Sequence, residues 1–197
     1  MQTDRSVHWL TAVHEAGHAV IATARGQQVN FVTICPDESG PNMEAGCLIE
    51  EGAVDAVVCL AGPLAWARAA RENPDLVDDE VDEDESSDDE DVDWETVAAF
   101  GSGLSDYPKA EELVGQEGIS TAEDEARRLV GEHWAAIERV ATVLEKFKAI
   151  DGGQVREAIE AEAICLFCSY PVDRGHSTNM HDACREAVQE FNRGREQ

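Results

Sequence analysis

Three residues near the start of the chain have the types and spacing of a hydrolytic metal site: His14, Glu15 and His18, in the order His-Glu-x-x-His. On a helix, two histidines four residues apart are turned by about 400° and separated by about 6 Å of rise, so their imidazoles stack on one face. Neutral imidazole suits Zn²⁺, and a catalytic zinc takes three protein ligands and leaves a position for water. The carboxylate beside the first histidine is then placed to take a proton from that water as it attacks a carbonyl. We expect His14 and His18 to be metal ligands and Glu15 to be the base. The competing reading is a core helix whose two histidines are satisfied by hydrogen bonds. A third ligand must lie downstream, and with 42 acids in the chain composition does not choose it.

The elements that must position these residues can be read from pattern. Between Leu10 and Ala24 the only formally charged side chain is Glu15, and most of the rest are Ala, Val, Ile and Leu. Such a helix is apolar nearly all round and should be buried, and a buried carboxylate is costly unless a cation lies beside it. Asp4 or Ser6 would cap its start, and Gly26 would stop it. Ala16 and Gly17 leave room for another backbone to approach the metal. Residues 29–34 alternate and are rich in β-branched side chains, so they predict a strand, with residues 46–49 returning as its partner. Either this hairpin aligns a substrate by edge pairing, or it covers the core. Residues 53–71 predict a second helix, kinked or split at Pro63. Residues 101–110 open another, and 120–150 predict one long amphipathic helix with a Ser120/Glu123 capping box and His133 at the core edge. Asp151-Gly152-Gly153 restarts a helix to about Ile164. The expected fold is α+β, mainly helical, with a small β-hairpin.

The string Ala-Val-His-Glu-Ala-Gly-His-Ala-Val (12–20) resembles the active helix of the peptidase domain of FtsH-type AAA zinc metalloproteases. Leu60-Ala61-Gly62 falls where that family has a Gly-rich helix packed on the active helix, although Ala65, Trp66 and Ala67 replace its acidic pair. Residues 134–155 are similar to its closing helices, so the resemblance spans about residues 5–162. It implies a zincin-like fold, a catalytic Zn²⁺ and peptide-bond hydrolysis. It also implies a third ligand: the family places an aspartate after Gly-x-x-Asn/Ser at a helix start, and Gly103-Leu104-Ser105-Asp106 fits, with a helix cap as the competing role for Asp106. Neither a P-loop nor a membrane-length apolar run occurs in these residues. We therefore expect a peptidase without its own ATPase, acting on unfolded or flexible protein chains.

The last part of the chain departs from that family. Cys165 and Cys168, then His181 and Cys184, form a CxxC…HxxC pattern of four zinc-type ligands that resembles a treble-clef finger, with His176, less regularly spaced from Cys184, as the alternative to His181. Four protein ligands leave no place for water, so this second Zn²⁺ would be structural, with unrelated thiols as the alternative. Cys35, Cys47 and Cys59 lack paired spacing and are expected to be buried thiols. The division is then 1–162 for a peptidase-like domain with an acidic insertion at 72–95, and 163–197 for the finger appendage.

Charge restricts the partners. The chain carries a formal net charge of −27, with 14 acids and no base from Asp75 to Glu95, and the remaining 28 acids still outnumber the 15 bases. Blocks of one sign are usually solvated, and a field of this sign repels phosphate backbones, so nucleic acid is not an expected partner. The chain opens without a secretory leader, and we expect a cytoplasmic protein with no membrane attachment. The reading from another class is a non-catalytic interaction protein, with the peptidase-like fold as scaffold and the finger binding a protein partner.

Overall fold

The apolar sequence around the histidines forms α1, Thr3–Ala24, with residues 12–22 all buried. In this computed structural model the described residues are 3–35, 46–50, 54–76, 105–161, 163–164, 171–172 and 184. Gly26 follows α1 at φ +77°, a left-handed conformation that glycine adopts without steric cost, as the expected stop requires. The chain then enters β1, Val29–Thr33, which pairs antiparallel with β2, Gly46–Ile49.

Helix α2, Ala56–Glu72, begins at Asp55, whose side chain accepts a hydrogen bond from the Val58 amide at 3.1 Å. It runs on through Pro63 as one helix, so the expected split does not occur. Burial on nearly every side holds it: Ala56 to Ala65 are all buried, so packing outweighs the amide hydrogen bond that proline cannot make. At Gly17 the two helices nearly touch, because an added Cβ would stand 2.7 Å from the Ala61 carbonyl oxygen and 2.9 Å from the Ala65 Cβ.

The expected single helix over 120–150 is two helices. α3 spans Asp106–Glu132, with a kink at Gly115 (φ 71°, ψ 165°), and α4 spans Trp134–Phe147. Ser120 and Glu123 lie inside α3, where the backbone amides already have helical partners, so they do not form the expected box. The break falls at His133, half-buried, with φ −103° and ψ 12°. The partners explain it: α3 packs on α2, whereas α4 packs on α1.

A short strand unforeseen in the sequence, β3 (Ala149–Asp151), adds to β1 and gives a three-stranded antiparallel sheet of order β2-β1-β3. Its last residue caps α5, Gly152–Glu160, through a capping box with Gln154. That helix stops short of the expected Ile164, because Ala161 is extended. Ala163–Ile164 (β4) and Pro171–Val172 (β5) then pair antiparallel. The fold is α+β and mainly helical, with α1 as the central helix between α2, α4 and the sheet. No helix among the described residues is long and apolar enough to cross a membrane. The acidic run beyond Leu76 lies outside the described residues, as do Cys165, Cys168 and His181.

Candidate metal centre

Helical spacing alone stacks His14 and His18 on the buried side of α1, with ring centroids 4.8 Å apart and planes at 78°. The start of α3 brings Asp106 to them from 92 residues away. Its Oδ2 lies 3.1 Å from His14 Nε2 and 3.3 Å from His18 Nε2, and the two Nε2 atoms are 3.1 Å apart. Ser105 occupies the cap position of α3 and Asp106 is the first helical residue, so Asp106 is turned to the histidines rather than used as the cap.

Three donor atoms converging in a near-equilateral triangle match a metal site. Tetrahedral coordination at bonds of about 2.0–2.1 Å requires donors about 3.3 Å apart, close to the observed 3.1, 3.1 and 3.3 Å. The triad is the group of His, Cys, Asp and Glu side chains among the described residues that can bind an ion, with donor atoms all within 4.8 Å. The tautomers agree. His18 Nδ1 donates to the Val58 carbonyl at 2.8 Å, which leaves Nε2 free to offer its lone pair to the triad. His14 Nδ1 is buried without a partner among the described residues.

The site also accommodates the His18 ring by omission of a side chain. A Cβ on Gly62 would lie 2.6 Å from His18 Cε1 and 2.7 Å from Cδ2. Gly62 and Val58 are one turn apart on α2, so one turn of backbone gives the ring both its hydrogen bond and its space. Gly62 was visible in the sequence as part of a packing segment, but its role beside His18 was not; no local pattern distinguishes it from a glycine that lets helices approach.

Charge is concentrated in little volume. Glu15 is 6 % exposed, and burial, opposed by His18 and reinforced by the Asp106 charge, pushes its carboxyl up to about 7. Burial by itself would raise Asp106 too, but the hydrogen bonds from His14 and His18 outweigh it and hold that carboxyl well below the usual range. The histidines separate. Burial dominates at His14 and lowers it. At His18 burial also pulls downward, yet the bond to Asp106 and the charges of Asp106 and Glu15 prevail and push it up to about 8. Without a metal, one proton therefore resides on the His18 side of the triad. A divalent cation held by His14, His18 and Asp106 would take the place of that proton and neutralise the buried carboxylates.

The triad opens into a cavity of about 250 Å³, walled by Gly46, Cys47 and Ile49 of β2, by Val58 and Cys59 of α2, and by Lys109 of α3. Of the three cysteines expected to be buried, Cys59 is buried, while Cys35 and Cys47 are half-buried. Burial, with the Glu15 charge, pushes the Cys47 thiol far up. Cys59 rises to about 11 through burial, with Lys109 pulling against it. Both thiols are protonated wall groups at neutral pH, and their place at the site was not legible in their spacing. Cys184, the one expected finger ligand among the described residues, is half-buried and in a helical conformation.

A family model described as Peptidase M50B-like matches residues 6–67, which carry most of α1, the β1–β2 pair and most of α2. The match includes His14, Glu15 and His18 and ends before Asp106. It supports a metallopeptidase-like domain. Among curated proteins no relative is matched.

Proposed function

We propose that this chain is a zinc metalloendopeptidase, FtsH-like in its peptidase domain, that cuts unfolded or flexible protein segments without an ATPase of its own. The observation that carries the reading is the convergence of His14, His18 and Asp106 at an open cavity, with Glu15 buried beside them. In this reading those three hold the ion and Glu15 works next to it. A divalent ion bound there supplies Lewis acidity toward a carbonyl and toward water.

The chain's own groups do the rest. Glu15 accepts the proton of the attacking water, and its environment fits a group that must pick up and release protons near neutrality. It then returns that proton to the leaving amine. Val58 and Gly62 hold the His18 ring in one orientation. β2, an edge strand of the sheet among the described residues, lines the cavity through Gly46 and Cys47, and an extended chain can pair with it. Opening a stable folded domain costs about 5–15 kcal/mol, so a peptidase that does not pull on its substrate is restricted to loose chains.

The finger is the second part of the reading. Cys165, Cys168, His181 and Cys184 hold a structural Zn²⁺ in residues 163–197 and offer a surface to a protein partner. Supporting it, the paired strands β4 and β5 stand on either side of the CxxC in sequence.

The test is hydrolysis of a fluorogenic unstructured peptide by zinc-loaded wild type and by Glu15→Gln. The substitution removes the base but no ligand, so zinc content should stay the same while turnover falls about 10²–10⁴-fold. A fully loaded wild type that cuts nothing, or a glutamine variant of undiminished rate, refutes the peptidase.

A further inference from the structure

Lys109 is the cation that lines the metal cavity among the described residues, and it is exposed to whatever enters. It stands three residues after Asp106, so the two project from the same face of α3. The position is a poor one for a lysine on local grounds. It is the fourth residue of the helix, in the first turn, where the positive end of the macrodipole favours acids and disfavours cations.

Nor does an ion pair account for it. The Lys109 ammonium meets no carboxylate among the described residues, as is also true of Lys146 and Arg156, but of these three only Lys109 lines the metal cavity. A local rule broken without a compensating contact is what a functional position looks like. Lys109 lines the same cavity as Cys59 of α2.

Charge balance then says what would complete the site. Glu15 and Asp106 carry two negative charges when ionised, which a divalent ion neutralises. Among the described lining residues Lys109 leaves the loaded cavity one positive charge in excess, and a single carboxylate is its complement. We propose that Lys109 binds a carboxylate of the substrate at the mouth of the metal cavity, selecting chains with an acidic side chain or a free C-terminal end beside the bond to be cut. This rests on the metallopeptidase reading for the identity of the bound chain, and on the geometry of Lys109 for the charge.

Binding separates the two. The full chain carrying Glu15→Gln, loaded with zinc, is titrated against one fluorescein-labelled flexible peptide in three forms: amidated and uncharged, with a free C-terminal carboxylate, and amidated with one internal Gln→Glu change. At least one charged form should bind about fivefold to tenfold tighter than the neutral one, with the difference shrinking at high salt, and the two charged forms tell which source of carboxylate is read. Adding Lys109→Met should erase the preference without weakening the neutral peptide, Lys109→Arg should keep most of it, and Lys109→Glu should reverse it. Zinc content is measured for each variant.

Equal affinities for all three peptides, including no binding of any, overturn the proposal. So does a Lys109→Met variant that weakens neutral and charged peptides alike or loses its zinc, since Lys109 would then support the fold or the metal. Charge-selective binding with no hydrolysis by wild type leaves the Lys109 assignment standing and refutes the peptidase. Hydrolysis without charge selectivity refutes the assignment alone.

Discussion

Gly62→Ala places a methyl group on the His18 ring. Carbon atoms pack best at about 3.5–4.0 Å, so a Cβ at 2.6 Å from Cε1 and 2.7 Å from Cδ2 overlaps the ring by about 1 Å. The backbone of α2 cannot easily retreat from α1, because α2 is also packed against α3. The ring must tip instead, and in tipping it gives up its 2.8 Å bond to the Val58 carbonyl. Overpacking costs about 1–3 kcal/mol and the lost hydrogen bond about 1, while alanine recovers about 1 through helix propensity, for a net loss of about 1–3 kcal/mol in the metal-free protein. The effect on metal should be larger in proportion. Losing an orienting partner of a ligand histidine costs about 10–100-fold in affinity, and here orientation and position go together. Zinc affinity measured against a competing chelator, beside thermal unfolding of the metal-free chain, reads both quantities. Gly131→Ala, on α3 where an added Cβ meets nothing within 4 Å, is the control and should leave zinc binding unchanged. If Gly62→Ala binds zinc within twofold of wild type, the close approach of Gly62 to the His18 ring does not govern the site.

Asp106→Ala should weaken zinc binding by at least the 10–100-fold typical of disturbed outer partners, since it removes a donor atom, and full metal content in the same chelator competition would send the search for a third ligand elsewhere. Affinity should also rise with pH. In the metal-free fold His18 keeps its proton up to about pH 8, and that proton competes for the same nitrogen, so affinity should climb by up to about tenfold per pH unit below 8 and level off above it. A profile that is flat from pH 6.5 to 8.5 would contradict the proton's placement on the triad. For the finger, Cys168→Ser should reduce the loaded chain from two zinc ions to one while peptide hydrolysis persists, and metal analysis giving a single zinc in wild type would remove one of the two assignments.

What the sequence determined by itself is what local spacing controls. A repeat of four residues on a helix is enough to stack His14 on His18, and an apolar run around them is enough to bury α1, because both follow from the helical period and from the exclusion of apolar surface from water. Gly26 at its left-handed stop and the pairing of residues 29–33 with 46–49 are local in the same sense. Asp106 came from a resemblance, since nothing in 42 acids marks one that will travel to a helix 92 residues away. Tertiary structure decided the rest. Whether α2 continues through Pro63, and whether the helix through Ser120 stops at His133, depends on which neighbours offer burial, and propensity yields to that. Cys47, Cys59 and Lys109 share the cavity wall, and Gly62 backs the His18 ring, although no spacing links them, because the site is assembled from three elements, β2, α2 and α3, whose mutual placement is set by packing around α1.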